Sequence, residues 1–394
     1  MSDPFPLKPI AALSIEIKDG THGTHQRVEQ GVPLLSAKNI EENGTLRCDE
    51  TDEQVSESEY KIITAGFTPR NNDLLLTVVG TLGRRALFYG ERVCFQRSVA
   101  FIRPNQEIVR PRYLFHAMAD QPFQKQLFRR CNITAQAGLY LGELGQVVVP
   151  VPPFTEQDKV CSILDSFDST IEKTEALIAK YQLIKAGLMQ SFFMSPDATA
   201  RWTPMTLNDL FENIIDYRGK TPAKTVSGIP LITAKNVRVG YIDPEPREFI
   251  AESDYSTWMT RGIPRKGDIL FTTEAPLGNV AEIPTKEKLA FAQRVIILQS
   301  KSIYIPSFVK HLLMSPLVQD SFQRNASGST ALGIKQSTFR RVTILATEDR
   351  DEQQAIADKL DSIDAFLRIE LLSLEKLKKI KIGLMVELFS GAGA

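Results

Sequence analysis

The sequence predicts an α+β protein built twice: two mixed α/β domains, each followed by one long helix, with the two helices packed on each other. Three observations predict this. First, Val160, Leu164, Phe167, Ile171, Thr174, Ile178, Tyr181, Ile184, Leu188 and Phe192 recur at steps of three and four, which places them on one stripe of a single helix. Second, the same pattern returns 196 residues later as Ile356, Leu360, Ile363, Leu367, Glu370, Leu374, Leu377, Ile380, Leu384 and Leu388. Third, the strand-like block Gly31–Ile40 returns as Gly228–Val237. A period near half the chain length is too long for a solenoid and implies two copies of one unit.

The elements follow in order. In the first domain, residues 1–150, Val32–Ser36 reads as a short strand with a turn at Asn43-Gly44. Leu74–Val79 and Val93–Ile102 read as further strands. Pro111 opens a helix reaching Arg130, Ala135–Gly138 forms a loop, and Val147–Val149 is a last strand. Residues 151–196 form the first long helix, roughly 55 to 60 Å at the standard rise. Thr155 is its predicted N-cap, with Asp158 close to a capping-box position. Residues 197–346 repeat the first domain: Lys266–Phe271 matches Asn71–Leu76, Leu277-Gly278 matches Leu82-Gly83, and Gln293-Arg294 matches Gln96-Arg97. Pro306 with His311 mirrors Pro111 with His116. Residues 347–394 form the second long helix, with Asp351 as predicted N-cap. Its entry, Glu348–Asp351, departs from the Pro-Pro entry of the first copy.

Composition narrows the class. Net charge is zero, yet its distribution is uneven. Residues 197–346 carry 19 basic and 14 acidic side chains, a net +5. Residues 155–196 carry 4 and 6, and residues 347–394 carry 7 and 10. A DNA-facing patch on a neutral protein is compatible with this. The sequence has no run of eighteen apolar residues for a membrane span, and Met1–Phe5 lacks the basic and apolar parts of a signal peptide. Cys48, Cys94, Cys131 and Cys161 show no paired spacing, which points to free thiols in a reducing cytoplasm.

Catalytic motifs fail on inspection. Val151-Pro152-Pro153-Phe154 resembles the Asn-Pro-Pro-Phe motif of adenine methyltransferases, but valine has no group to accept exocyclic amino protons. Gly219-Lys220-Thr221 resembles the end of a P-loop, but Ile214 stands where its first glycine is needed. His22 and His25 lack companions at metal-ligand spacing. No Ser-His-Asp or Cys-His pattern and no dinucleotide fingerprint stands out. The expectation is a binding protein without chemistry of its own.

Several blocks resemble one family. Pro152–Gln157, the helix with Leu164, Asp168 and Ile171, and the ending Lys185-Ala-Gly-Leu-Met189 resemble the central region of type I restriction–modification specificity subunits. Lys381-Ile-Gly-Leu-Met385 stands in the matching C-terminal place, and Pro33–Asn39 and Pro230–Asn236 resemble openings of the family's target recognition domains. The resemblance implies two such domains, each reading one half of a split, asymmetric site on double-stranded DNA. The two helices would form an antiparallel coiled-coil spacer with pseudo-twofold symmetry. It further implies two methyltransferase subunits bringing S-adenosylmethionine and flipping a target adenine. ATP/Mg-driven nuclease/translocase subunits would join for cleavage, and this chain would hold no cofactor and no metal.

Base edges call for forked or amide side chains, and phosphates for cations or small donors. On that ground the candidate DNA contacts are Lys38, Asn39, Arg84, Arg85, Gln96 and Arg97 in the first domain. In the second they are Arg218, Lys220, Lys235, Asn236, Gln293, Arg294, Ser327 and Ser329. Residues shared by both copies favour phosphate or fold roles. Lys173, Glu175, Lys180 and Lys185 mark candidate docking faces on the first helix. The competing readings are a non-enzymatic adaptor whose duplicated helical rod assembles partner proteins, and an enzyme with a fused methyltransferase.

Overall fold

The structure, a computed structural model, describes residues 5–131, 138–217, 221–328 and 331–390. The chain forms two compact units, one of residues 1–174 with 373–394, the other of residues 175–372. Each unit thus takes part of both long helices, Phe154–Met194 and Arg350–Ser390, which have 41 residues each.

The first unit contains β1 (Leu7–Pro9), β2 (Ser14–Asp19), β3 (Arg27–Val28), β4 (Val32–Leu35) and β5 (Gln54–Val55). They are followed by β6 (Leu74–Thr77), β7 (Arg85–Leu87), β8 (Cys94–Phe95), β9 (Val99–Pro104) and β10 (Val148–Pro150). Its main sheet has the order β2-β9-β6-β7, a second sheet the order β3-β5-β4-β8, and β1 pairs with β10. The central strand β6 is buried along its whole length, so it reads as a continuous apolar run rather than an alternation. Helices α1 (Pro111–Ala117) and α2 (Gln121–Arg130) cover the main sheet. The predicted single helix from Pro111 to Arg130 is therefore two. Asp120 caps a new start by accepting the N–H of Gln121, ahead of Pro122. The predicted strand from Val93 to Ile102 is likewise broken between β8 and β9.

The second unit repeats this plan. It contains β11 (Thr203–Thr206), β12 (Phe211–Asp216), β13 (Ile229–Ile232), β14 (Phe249–Ile250) and β15 (Ile269–Thr273). Then come β16 (Leu277–Glu282), β17 (Ala290–Phe291), β18 (Val295–Ser300) and β19 (Thr343–Ala346). The main sheet is β12-β18-β15-β16, β11 pairs with β19, and the parallel pair β13·β17 matches β4·β8. Helices α3 (Pro306–Met314) and α4 (Pro316–Arg324) match α1 and α2. In both units a glutamine of the second short helix secures a glycine turn. Gln124 donates to the carbonyls of Gly83 and Met118, and Gln319 to those of Gly278 and Leu313. Gly83 and Gly278 have φ of +86° and +93°, and a Cβ on either would meet the glutamine Oε1 at 2.2 or 2.5 Å. Glycine is required there on both counts.

Within each unit the two long-helix segments run antiparallel. In the first unit Val160 and Leu164 share a core with Met385 and Phe389, and Asp168 meets Lys381. In the second, Met189 and Phe193 share a core with Ile356 and Leu360, Tyr181 packs at a tilt against Phe366, and Lys185 meets Asp364. The predicted stripe is right at its start and slips by one residue at its end. Met189, Phe193, Met385 and Phe389 are buried, whereas Leu188, Phe192, Leu384 and Leu388 are half-buried. A repeat of 3.5 residues drifts against the 3.6-residue helix, and the side chains at the slipped positions join the globular cores. Phe389 packs edge-on against Tyr113 of α1, and Phe193 packs at a tilt against Phe308 of α3.

Both predicted N-caps, Thr155 and Asp351, sit two residues too late. The first long helix starts at Phe154, and the Pro153 carbonyl accepts the N–H groups of Glu156 and Gln157. In the second, Asp349 is the cap and its carboxylate accepts the N–H groups of Asp351 and Glu352. Gln157 and Gln353, one turn in, are fully buried. Gln157 Oε1 accepts the Arg110 N–H at 2.8 Å while its Nε2 donates to the Pro152 and Ile108 carbonyls. Gln353 makes the same three bonds, to the Ile305 N–H and the Thr347 and Ile303 carbonyls.

Replacing Gln157 or Gln353 with Ala should strand one amide and two carbonyls away from water. At about 1–3 kcal/mol for each buried unsatisfied group, partly relieved by relaxation, each variant should lose about 2–4 kcal/mol. Urea unfolding of the full chain measures this, and unchanged midpoints would show that the buried amide is dispensable.

Candidate nucleic-acid interface

Each unit presents a cluster where its globular part meets both long helices. His116 of α1 is fully buried, and its Nε2 lies 2.7 Å from Asp165 Oδ1 on the first long helix. Arg112 Nε also meets Asp165, at 2.6 Å, and Lys381 of the second long helix meets Asp168. In the second unit His311 lies 2.8 Å from Asp361, which also accepts from Lys310 and Ser307. Lys185 meets Asp364 at 2.5 Å. Burial pushes the His116 imidazole down to about 4 and lowers that of His311, so both rings are neutral at pH 7. Burial raises the Asp361 carboxyl, but hydrogen bonds from His311, Lys310 and Ser307 outweigh it and hold the group below the usual carboxylate range. Among the described residues, His116/Asp165/Asp168 and His311/Asp361/Asp364 are the groups close enough to hold a metal ion. Their carboxylates are matched by Arg112 with Lys381 and by Lys310 with Lys185, and we assign no ion to them. Lys185, expected on a docking face, is part of this clasp.

Beyond the clasps, the loop ends of the main sheets form one backbone frame in both units. In the first, Val78 N–H donates to the Ser98 carbonyl, Leu139 N–H to the Val78 carbonyl, and Val79 bridges Gly138. In the second, Thr273 N–H donates to the Arg294 carbonyl, Ile334 N–H to the Thr273 carbonyl, and Glu274 bridges Gly333. This register corrects the expected pairing of Gln293-Arg294 with Gln96-Arg97. Ladder partners align Val295 with Val99, so Arg294 stands opposite Ser98 and Gln293 opposite Arg97. In the second unit the frame lines a cleft of about 480 Å³ that includes Glu274, Gln293, Arg294, Ser327 and Lys335.

The other expected contacts divide by burial. Asn39 and Asn236 are fully buried. Asn39 accepts the Ser36 N–H and donates to the Arg47 carbonyl and Asp52. Asn236 accepts the Thr233 N–H and donates to the Asp243 and Pro246 carbonyls. These shared asparagines hold their loops and face inward. Arg85 is also inside: it donates to the Phe115 carbonyl and stacks on that ring at 4.6 Å. Burial lowers its guanidinium to about 10. Arg84 reaches the Ile40 carbonyl and Glu42, and Gln96 donates to Glu53. Lys38 is exposed beside Asp52. Arg97, Lys235, Gln293, Arg294 and Ser327 are exposed. Arg218, Lys220 and Ser329 lie outside the described residues, as do Ala135–Ala137 of the expected loop. The sequence reading missed Glu274 and Lys335, which no local motif marks. It also missed that His25 lies between Thr21 Oγ1, at 2.5 Å, and Glu59, at 2.6 Å. That line of bonds fastens the 20–25 segment to the helix Glu57–Thr64.

A duplicated α/β unit joined to paired long helices, with a shared frame carrying different polar groups, defines a two-headed recognition protein. The model of the type I restriction modification DNA specificity domain matches this chain twice, at residues 31–181 and 200–382, and the chain belongs to that family. It is 22% identical, over 84% of its length and 81% of the relative's, to the type I restriction enzyme MjaVIII specificity subunit of Methanocaldococcus jannaschii. Its fold is similar to the crystal structure of the type I restriction-modification S subunit from M. genitalium, with a TM-score of 0.66 and 14% identity over 98% of this chain and 96% of that one. A chain of a type I system solved to explain complex assembly and conformational transition matches with a TM-score of 0.55 and 17% identity over 99% of both.

The clasp makes a signed prediction. Folded His116 protonates near 4, whereas an unfolded histidine protonates near 6.5. Between those values the unfolded chain binds the proton and the folded chain does not, so His116 withdraws stability as pH falls from about 6.5 to about 4. The total is on the order of 3 kcal/mol at 1.36 kcal/mol per pKa unit. His116→Asn should remove that component of the acid slope. Urea midpoints across this pH range check it, and identical slopes for both proteins would refute it.

Proposed function

We propose that this chain is the non-catalytic specificity subunit of a type I restriction–modification complex, with each unit reading one half of a split, asymmetric DNA site. The observation that carries the reading is the shared frame. The inward-facing residues Asn39/Asn236, Gln157/Gln353 and His116/His311 repeat between units, while positions around the frame differ: half-buried Ser98, whose Oγ accepts the Ala37 N–H, against exposed Arg294, half-buried Val79 against Glu274, and exposed Arg97 against Gln293. Two heads with one scaffold and two faces suit a site with two different halves. In this reading Lys38, Arg84, Gln96 and Arg97 serve the first half-site, and Lys235, Gln293, Arg294, Ser327, Arg218, Lys220 and Ser329 the second. Asn39, Asn236 and Arg85 act through the fold.

The partners in this reading are double-stranded DNA, two methyltransferase subunits that bring S-adenosylmethionine, and two ATP/Mg-dependent nuclease/translocase subunits. The chain itself carries no cofactor, and the complex works in the cytoplasm. No helix among the described residues is long and apolar enough to cross a membrane. The long helices offer the methyltransferases exposed apolar side chains: Leu183, Ile369 and Leu372 in the second unit, Ile380, Ile382 and Val386 in the first. Such groups suit the core of an interface better than a solvated face. The test is methylation mapping in a host that co-expresses the chain with the methyltransferase subunit of its own system. A split motif with a fixed gap, modified only when the chain is present, is expected. A well-formed complex that modifies no new motif would overturn the reading in favour of an adaptor.

A further inference from the structure

We infer that Glu274 and Arg294 together read one G·C base pair in the half-site of the second unit. This rests on the DNA-specificity reading above and deepens it to two residues and one base pair. The two side chains project from adjoining loops into the same cleft, with Arg294 Nη2 3.7 Å from Glu274 Oε1. That distance is longer than a hydrogen bond, and the side chains are 49% and 41% exposed. The pair is loosely held and its polar ends remain open to an outside partner.

Three observations favour a base edge over a phosphate or a purely structural role. First, the backbone frame is the same in both units, but its first-unit counterparts are Val79 and Ser98. Scaffold pairs recur between units, including Asp73 with Arg103 and Asp268 with Gln299; this pair does not. Second, Arg294 is held at φ +75°, a backbone region unfavourable for a side chain with a Cβ. Strain of this kind concentrates where a side chain must be aimed. Third, a carboxylate beside the guanidinium repels a phosphate and favours a donor. In the major groove guanine offers two neighbouring acceptors, O6 and N7, which a guanidinium fork matches, and its partner cytosine offers the N4 amino donor, which a carboxylate matches. Adenine offers one acceptor beside a donor, and thymine O4 would face the carboxylate with a second acceptor. The guanidinium fork therefore favours G·C, where guanine meets both of its donors and cytosine meets the carboxylate, over A·T, where adenine meets only one of them.

The test uses the full chain assembled with its methyltransferase subunit and a randomised pool of duplex DNA. The wild-type complex should select a split motif with a fixed G·C pair in one half. Arg294→Lys keeps the charge and loses the fork, so it should cut preference at that pair by roughly five- to a hundredfold and leave the other half-site unchanged. Glu274→Gln should relax the same pair. Uniform weakening on every sequence, with a flatter salt dependence, would make Arg294 a phosphate contact and overturn the inference. Variants that select the wild-type motif would also overturn it. A wild-type complex that selects no motif would instead sink the specificity reading itself.

Discussion

Each unit depends on a buried amide at the start of a long helix. Gln157 and Gln353 each satisfy one backbone N–H and two carbonyls where the helix leaves the last strand and passes the loop before α1 or α3. A helix start normally leaves unpaired donors. A side chain that both donates and accepts can also complete the neighbouring loop. That dual capacity explains why the residue is glutamine: a glutamate would lose the donor, and a leucine both functions. With the helix start fixed to the loop, α1 and α3 present His116 and His311 to the helix one turn and more beyond it.

The clasp around those histidines is an electrostatic version of the same solution. The four aspartates are half-buried, and a carboxylate drawn partly out of water is costly unless paired and hydrogen-bonded. Asp165 and Asp168, or Asp361 and Asp364, are matched within their unit by a cation from the globular part and a lysine from the other long helix. The neutral imidazole adds a donor without adding charge. A cation at one point of the opposite helix also fixes register, because a helix slipped by one residue would leave the lysine facing away and an aspartate unpaired. Apolar contacts along the stripe are far more tolerant of such a slip.

These constraints explain what the sequence made legible. The long helices are held at almost every turn by the stripe, the clasp and the buried amide, so their letters repeat at a constant interval of 196 and the duplication is plain. The globular parts are constrained at fewer points, and their loops differ in length. The interval is 197 at Asn39 and Asn236, 195 at His116 and His311, and 196 at Val99 and Val295. A match of Gln-Arg to Gln-Arg therefore crossed a loop-length change and paired the wrong residues. Burial of Asn39, Asn236 and Arg85 was equally hidden, because their fold roles come from distant partners: Asp52 across a loop, Pro246, and the Phe115 carbonyl. Local letters distinguish polar from apolar; they do not show which way a polar side chain points.

Duplication makes up for part of that. Two copies of one fold act as controls for each other: a polar residue that is identical in both and engaged inside each unit serves the scaffold, whereas an exposed one that differs is free to serve a ligand. Asn39, Gln157, His116, Asp168 and Gln124 each have an identical counterpart, and each is engaged inside its own unit. Glu274, Gln293 and Arg294 have counterparts of different chemistry on the same backbone, and all three line one open cleft. Zero net charge on the whole chain fits this division. Acidic residues concentrate on the helices, where lysines and arginines pair with them, and the basic excess falls in residues 197–346. A surface that must distinguish bases needs acceptors such as Glu274 among its cations, because cations alone bind every phosphate equally.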